Sequence, residues 1–151
     1  MKRLLFLFAI MVFTLSCSEK DPVNNEEKNE KGILEVNCFF TKEGNPNVLI
    51  PDAQSKVFIY FGYWSADFVG CSYCSYLGEG KIAKRDSVIL PDQYAVIGED
   101  GKVTIRLEQI DKFYTFLIES NYYKRITTYS YSESQAQGEM GKMICTVTFN
   151  P

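Results

Sequence analysis

The sequence predicts an all-β sandwich over residues 32–151. Three observations predict it. Apolar and polar residues alternate along several short runs, the two-residue period of a strand with one buried face. Turn-forming pairs such as Asn45-Pro46, Pro91-Asp92 and Asp100-Gly101 separate those runs. Aromatics are plentiful, with 10 Tyr and 11 Phe, and β-branched residues are common. That mix fits a pleated, half-buried surface better than a helix, and no stretch shows a convincing helical period.

The elements follow in chain order. Residues 1–16 have the layout of an export signal: basic Lys2 and Arg3, then an uncharged apolar run from Leu4 to Leu15, then small Ser16. The run is shorter than the roughly 20 apolar residues of a spanning helix. Leu15-Ser16-Cys17 resembles the lipobox of bacterial lipoproteins, although Thr14 stands where Leu is usual. The resemblance implies cleavage before Cys17 and a diacylglycerol on its sulfur. Each lipid CH₂ that enters the bilayer adds about 0.8 kcal/mol, so two or three chains hold firmly. Ser18-Glu19-Lys20-Asp21 resembles the short acidic export signal of surface-exposed lipoproteins. Residues 17–31 are dominated by Asp, Asn, Glu and Lys. They read as a flexible linker, too polar to order itself by burial.

Within the domain, residues 33–40 form a strand with Leu34, Val36, Cys38 and Phe40 on one face. Residues 41–47, with Gly44, Asn45 and Pro46, read as a loop. Residues 57–64 are apolar on both faces, which predicts a central strand or one whose outer face is covered. Residues 65–80 carry three glycines and two cysteines and read as an irregular excursion. Short strands are expected within 81–90 and at 94–97. Glu99-Asp100-Gly101 predicts a hairpin turn leading into a strand over 102–107. Residues 111–120 predict an apolar-aromatic strand, 121–141 a polar Tyr-rich stretch with a loop at Ser132-Glu133-Ser134-Gln135, and 142–149 a closing strand. Met143, Cys145, Val147 and Phe149 share a face of that last strand.

The run Gly98-Glu99-Asp100-Gly101-Lys102-Val103-Thr104-Ile105, then Phe113-Tyr114-Thr115-Phe116, resembles carboxypeptidase-regulatory-like domains. Ile33-Leu34-Glu35-Val36 before Pro51-Asp52-Ala53 and Val57-Phe58-Ile59-Tyr60 resembles the opening of the same module. The resemblance covers about residues 32–149, with an insertion near 65–80. It implies an Ig-like or transthyretin-like β-sandwich, with no catalytic residues to carry over and an accessory, adhesive or structural role. Fold alone does not fix function.

Charge and composition narrow the function classes. The chain's net charge of −3 becomes −5 once Lys2 and Arg3 leave with the signal. An acidic protein is a poor partner for nucleic acid. Histidine is absent, which excludes Ser-His-Asp and Cys-His nucleophiles and any histidine-bearing zinc site. The carboxylates Asp92, Glu99 and Asp100 fall at turns, where acidic residues serve the backbone, so a hydrolase built on them is a weak reading.

Four cysteines follow Cys17. Cys38 and Cys145 are expected on inward faces of the first and last strands, either bridged or as two buried thiols acting as small hydrophobes. Cys71 and Cys74 have the C-x-x-C spacing. A redox pair of that spacing wants a helix start after the first cysteine, and a Cys₄ zinc site needs all four thiols together. A loop-stapling disulfide or two unpaired thiols are the other readings. Tyr63, Trp64, Tyr122 and Tyr123 are the candidate ligand-binding aromatics, if exposed on one face; otherwise they are core and sheet cover.

The resulting expectation is a non-enzymatic module, lipid-anchored to the outer membrane and facing the cell surface, without cofactor or metal. Its partners are the membrane, through the anchor, and a glycan or protein ligand. The alternative is an envelope thiol–disulfide or cysteine–metal protein working through Cys71 and Cys74.

Overall fold

A computed structural model describes residues 32–68, 73–109, 113–131 and 142–151. Residues 1–31, with the signal, the linker and Cys17, lie outside the described residues, as do Cys71, residues 110–112 and the Ser132–Gln135 stretch.

The fold is all-β. Among the described residues, eleven strands run β1 (Ile33–Lys42), β2 (Asn45–Pro51), β3 (Lys56–Phe61), β4 (Cys74–Gly78), β5 (Lys81–Lys84), β6 (Ser87–Ile89), β7 (Gln93–Val96), β8 (Lys102–Arg106), β9 (Tyr114–Glu119), β10 (Ile126–Tyr131) and β11 (Lys142–Phe149). The one helical element among the described residues is a single 3-10 turn, Ser65–Asp67.

β1 is the axis of the first sheet. On one side it pairs in parallel with β11, Leu34 opposite Met143 through Phe40 opposite Phe149. Its other edge is shared: β8 takes Ile33 to Asn37 and β2 takes Phe39 to Lys42, both antiparallel. The second sheet has the order β10-β9-β3-β7, all neighbours antiparallel. The inward faces of the two sheets make the main core. Leu34, Val36, Cys38 and Phe40 with their β11 counterparts pack against Val57, Ile59, Phe61, Tyr114, Phe116 and Ile118. Alternation in β1 and β11 directs the apolar set inward, as the two-residue period requires.

β3 is central in its sheet, and it is also covered. Phe58, Tyr60 and Leu117 point away from the main core into a second cluster with Phe68, Ile82 and Ile89. That cover comes from the segment that follows β3, including residues 65–80. The reading of residues 65–80 as an irregular excursion needs correcting, because β4, β5 and β6 form a three-stranded antiparallel meander lying on the outer face of the second sheet. Two turns with left-handed residues, Glu79-Gly80 and Arg85, let three very short strands reverse tightly.

Polar bonds tie this cap down. The Tyr60 hydroxyl donates to the Gly80 carbonyl. Gly80 N–H donates to the Tyr76 hydroxyl at 3.1 Å, which donates to Glu119 Oε2 at 2.8 Å. Burial first, and the Glu119 carboxylate after it, push the Tyr76 phenol up to about 12, so it stays a donor at any physiological pH. Lys84 reaches Asp67 at 3.2 Å.

Two further expectations change. The loop read over 41–47 is a two-residue turn at 43–44, with Gly44 at φ +82°, and β2 begins at Asn45. Pro46 and Pro51 are tolerated because β2 is an exposed edge strand. The turn at 99–101 does not close a hairpin, since β7 pairs with β3 in the second sheet and β8 with β1 in the first. It is a corner between sheets. Gly101, at φ +78°, lies so close to β1 that a Cβ there would stand 2.8 Å from the Cys38 carbonyl oxygen. The Gln93 amide closes the same side of the sandwich, donating to Arg106 O at 3.2 Å and accepting from Glu108 N–H at 3.1 Å.

Candidate functional site

The outer face of the second sheet is where the cap ends. Phe58 of β3 and Tyr94 of β7 are direct cross-strand partners on that face, as are Lys56 and Val96. The β4–β5 turn stops over Phe58: a Cβ on Gly80 would stand 2.6 Å from the Phe58 ring and 3.0 Å from Pro91 Cγ. Phe58 is therefore buried, at 3% exposure, while its neighbour Tyr94 is 70% exposed. A side chain's fate here is decided by whether the cap reaches it.

The step between the two leaves an open groove of about 450 Å³ lined by Lys56, Phe58, Glu79, Pro91 and Tyr94, within the size range of ligand pockets. Phe58 and Pro91 are its apolar lining and Tyr94 offers an aromatic ring. Lys56 and Glu79 face each other with Nζ to Oε1 at 3.8 Å, both partly in water. Lys56 also borders a smaller notch of about 100 Å³, lined by Gln54, Glu119, Ser120, Asn121 and Lys124.

The four aromatics singled out from sequence do not form one row. Trp64 is 46% exposed and stacks on Phe113, centroids 4.7 Å apart and 12° from parallel. Its segment is pinned by Ser65 N–H donating to Ser130 Oγ and by Thr115 Oγ1 donating to Tyr63 O. Tyr63 is half-buried against Phe68. Tyr122 is 49% exposed and stacks on Phe40, at 4.0 Å and 9°. Tyr123 is half-buried and donates its hydroxyl to Thr41 O at 2.6 Å. The first pair sits where β9 begins and the second just past its end, about 20 Å apart at the strand rise of 3.3 Å per residue. Each pair closes one end of the sandwich.

Cys38 and Cys145 lie on adjoining strands, inward and free. They are two residues out of register, since Cys145 is opposite Val36 and Cys38 opposite Val147. Strand spacing and rise put their Cα atoms about 8 Å apart, beyond the usual disulfide span of roughly 4.4–6.8 Å. Desolvation pushes the Cys38 thiol up to about 12 and the Cys145 thiol up to about 11. A thiol so shifted is protonated and inert at neutral pH. Alkylation of the native protein at pH 8, followed by peptide mass spectrometry, should leave both unlabelled, and denaturation should expose both. Native labelling of either would contradict this placement.

Cys74 opens β4, a strand, in the position where a thioredoxin-like pair would open a helix, and its thiol donates to Asp67 O at 3.2 Å. It packs with the cap cluster, on the opposite face of the second sheet from Cys38 and Cys145. A site drawing on all four thiols is thereby ruled out, because a sheet separates them. The turn carboxylates serve the backbone: Asp92 Oδ2 accepts from Phe61 N–H at 2.8 Å and Asp100 Oδ1 from Lys102 N–H at 3.1 Å. Glu99 accepts from the Gln54 amide at 3.5 Å.

Sequence reasoning missed every residue of the groove. The signal was present in β7, which carries Tyr94 and Val96 on one face and Ala95 on the other. That pattern is apolar on both faces, like β3, but the cap covers β3 and stops short of β7. No family model matches the chain, and neither a curated protein nor a solved structure matches it.

Proposed function

We propose that this protein is an exported lipoprotein, anchored to the outer membrane through Cys17 and facing the cell surface, whose β-sandwich is a non-enzymatic binding module. The observation that carries the binding role is Tyr94. A large aromatic ring stands 70% exposed beside an apolar lining and a loose ion pair. Concave sites of mixed character with a few convergent polar groups are what ligands use. The non-enzymatic reading is supported by how the carboxylates are employed, since Asp92 and Asp100 hold backbone N–H groups in turns. The anchoring role rests on Leu15-Ser16-Cys17 behind an apolar run and before a polar linker. The transthyretin-like resemblance agrees with an accessory module.

The test is labelled-palmitate incorporation into wild type and Cys17→Ala, with protease treatment of intact cells. Label lost in the variant and wild-type protein stripped from the cells are the expected results. Label retained by Cys17→Ala would overturn the anchor. Label lost with the protein protected would overturn the surface-facing placement and make Cys71 and Cys74 the next residues to substitute.

A further inference from the structure

Resting on the reading of the groove as a binding site, we propose that its ligand is a neutral oligosaccharide, one sugar ring stacked on Tyr94 and its hydroxyls bonded by Lys56 and Glu79.

A pyranose ring has an apolar face of C–H groups and a rim of hydroxyls. The groove presents the complement, with an exposed Tyr94 ring beside Phe58 and Pro91 and a charged donor and acceptor at its border. Lys56 and Glu79 are 3.8 Å apart and exposed at 41% and 73% of their side chains. A pair that long and that wet contributes little by itself, so each partner can turn to a hydroxyl without leaving a buried charge unpaired. Hydroxyls donate and accept, which suits one cation and one anion side by side. The pair also sets the groove's formal charge at zero, which disfavours phosphate and polyanions, whose recognition uses clustered Arg or Lys. An acyl chain would need a deeper apolar channel than Phe58 and Pro91 supply.

Length follows from the neighbouring notch. It shares Lys56 with the groove and adds the exposed side-chain amides of Gln54 and Asn121 and the Lys124 ammonium. Hydrogen-bonding groups on the far side of Lys56 extend the contact surface beyond one ring, toward an oligosaccharide.

The experiment uses the full-length protein in detergent, electrophoresed through gels containing dextran, laminarin, mannan, xylan or soluble starch. Polygalacturonate and heparin serve as acidic comparisons. At least one neutral polysaccharide should retard the wild type. Tyr94→Ala should weaken that retardation about tenfold, while Tyr94→Phe, which keeps the ring, should retain it. Lys56→Ala and Glu79→Ala should each weaken it several-fold, and Tyr122→Ala, at the end of the sandwich, should not. Tyr94 and Glu79 are exposed, so unchanged thermal unfolding of their variants separates lost binding from lost fold. Retardation by the acidic gels alone, abolished by Tyr94→Ala, would overturn the neutral-sugar class while leaving the groove a binding site. Retardation that Tyr94→Ala leaves intact would overturn the assignment of the ligand to this groove. No retardation of the wild type by any gel would overturn the saccharide proposal, with the anchor judged separately by the palmitate result.

Discussion

Replacing Asp52 by Ala should cost about 3 kcal/mol of stability and lower the unfolding temperature by about 10 °C. Asp52 is 1% exposed, in the turn between β2 and β3. Its Oδ1 accepts from Tyr122 N–H at 3.0 Å and its Oδ2 from the Ser120 hydroxyl. Ser120 Oγ in turn accepts from Tyr123 N–H at 3.0 Å, and Ser55 Oγ from Asn121 N–H at 2.9 Å. One carboxylate thus organises the turn after β9 and sets Tyr122 over Phe40. Hydrogen bonds to a charged acceptor are worth about 1.5–3 kcal/mol each, and their loss leaves buried donors unsatisfied. Asp52→Asn keeps an acceptor for Tyr122 N–H, and its amide can donate to Ser120 Oγ, so it should cost about half as much. Urea unfolding followed through the fluorescence of the single tryptophan, Trp64, measures both. A loss below about 0.5 kcal/mol for Asp52→Ala, the scale of an ordinary surface change, would show that the network does not hold the turn.

The second large effect is expected at Gly80. Its φ of +73° is left-handed, and a Cβ would meet the Phe58 ring at 2.6 and 2.7 Å. Left-handed strain on an L-residue is about 1–2 kcal/mol, and overpacking a full site adds about 1–3. Gly80→Ala should therefore cost about 3 kcal/mol. Gly62 is the internal control: its φ is +78°, yet nothing lies within 4 Å of its Cβ position, so Gly62→Ala should show only the backbone share of about 1–2 kcal/mol. The same urea titration compares them. Equal losses at the two glycines would mean that the cap does not press on Phe58 as the structure places it.

Why some elements were legible and others not is clearest in particular strands. β1 and β11 were readable because each has one face in the core and one in water, and alternation records that directly. The residues apolar on both faces of β3 implied cover of some kind. What supplies the cover was not readable, because β4, β5 and β6 are too short and too exposed for a clear period. Asp100-Gly101 reads as a hairpin turn in the sequence, yet its flanking strands join different sheets. Turn chemistry fixes the local backbone, whereas the sheet that each flanking strand joins depends on distant partners. The two aromatic clusters were plain in the sequence, and their separation along β9 was not.

The sequence by itself determined the strands with one buried face, β1, β8 and β11, the inward residues of the first and last of them, the charge, and the lack of histidine that removes whole classes of catalysis. These are local or compositional properties, set by side-chain period and by residue type. Tertiary structure alone decided that β1 and β11 run in parallel two residues out of step for their cysteines, that β4, β5 and β6 become a third layer, and that this layer ends between Phe58 and Tyr94. Exposure is a property of what lies on top of a residue, and what lies on top is brought there by chain far away in sequence. Phe58 and Tyr94 therefore read alike in the sequence and come to opposite ends in the fold, one sealed under Gly80 and the other left exposed.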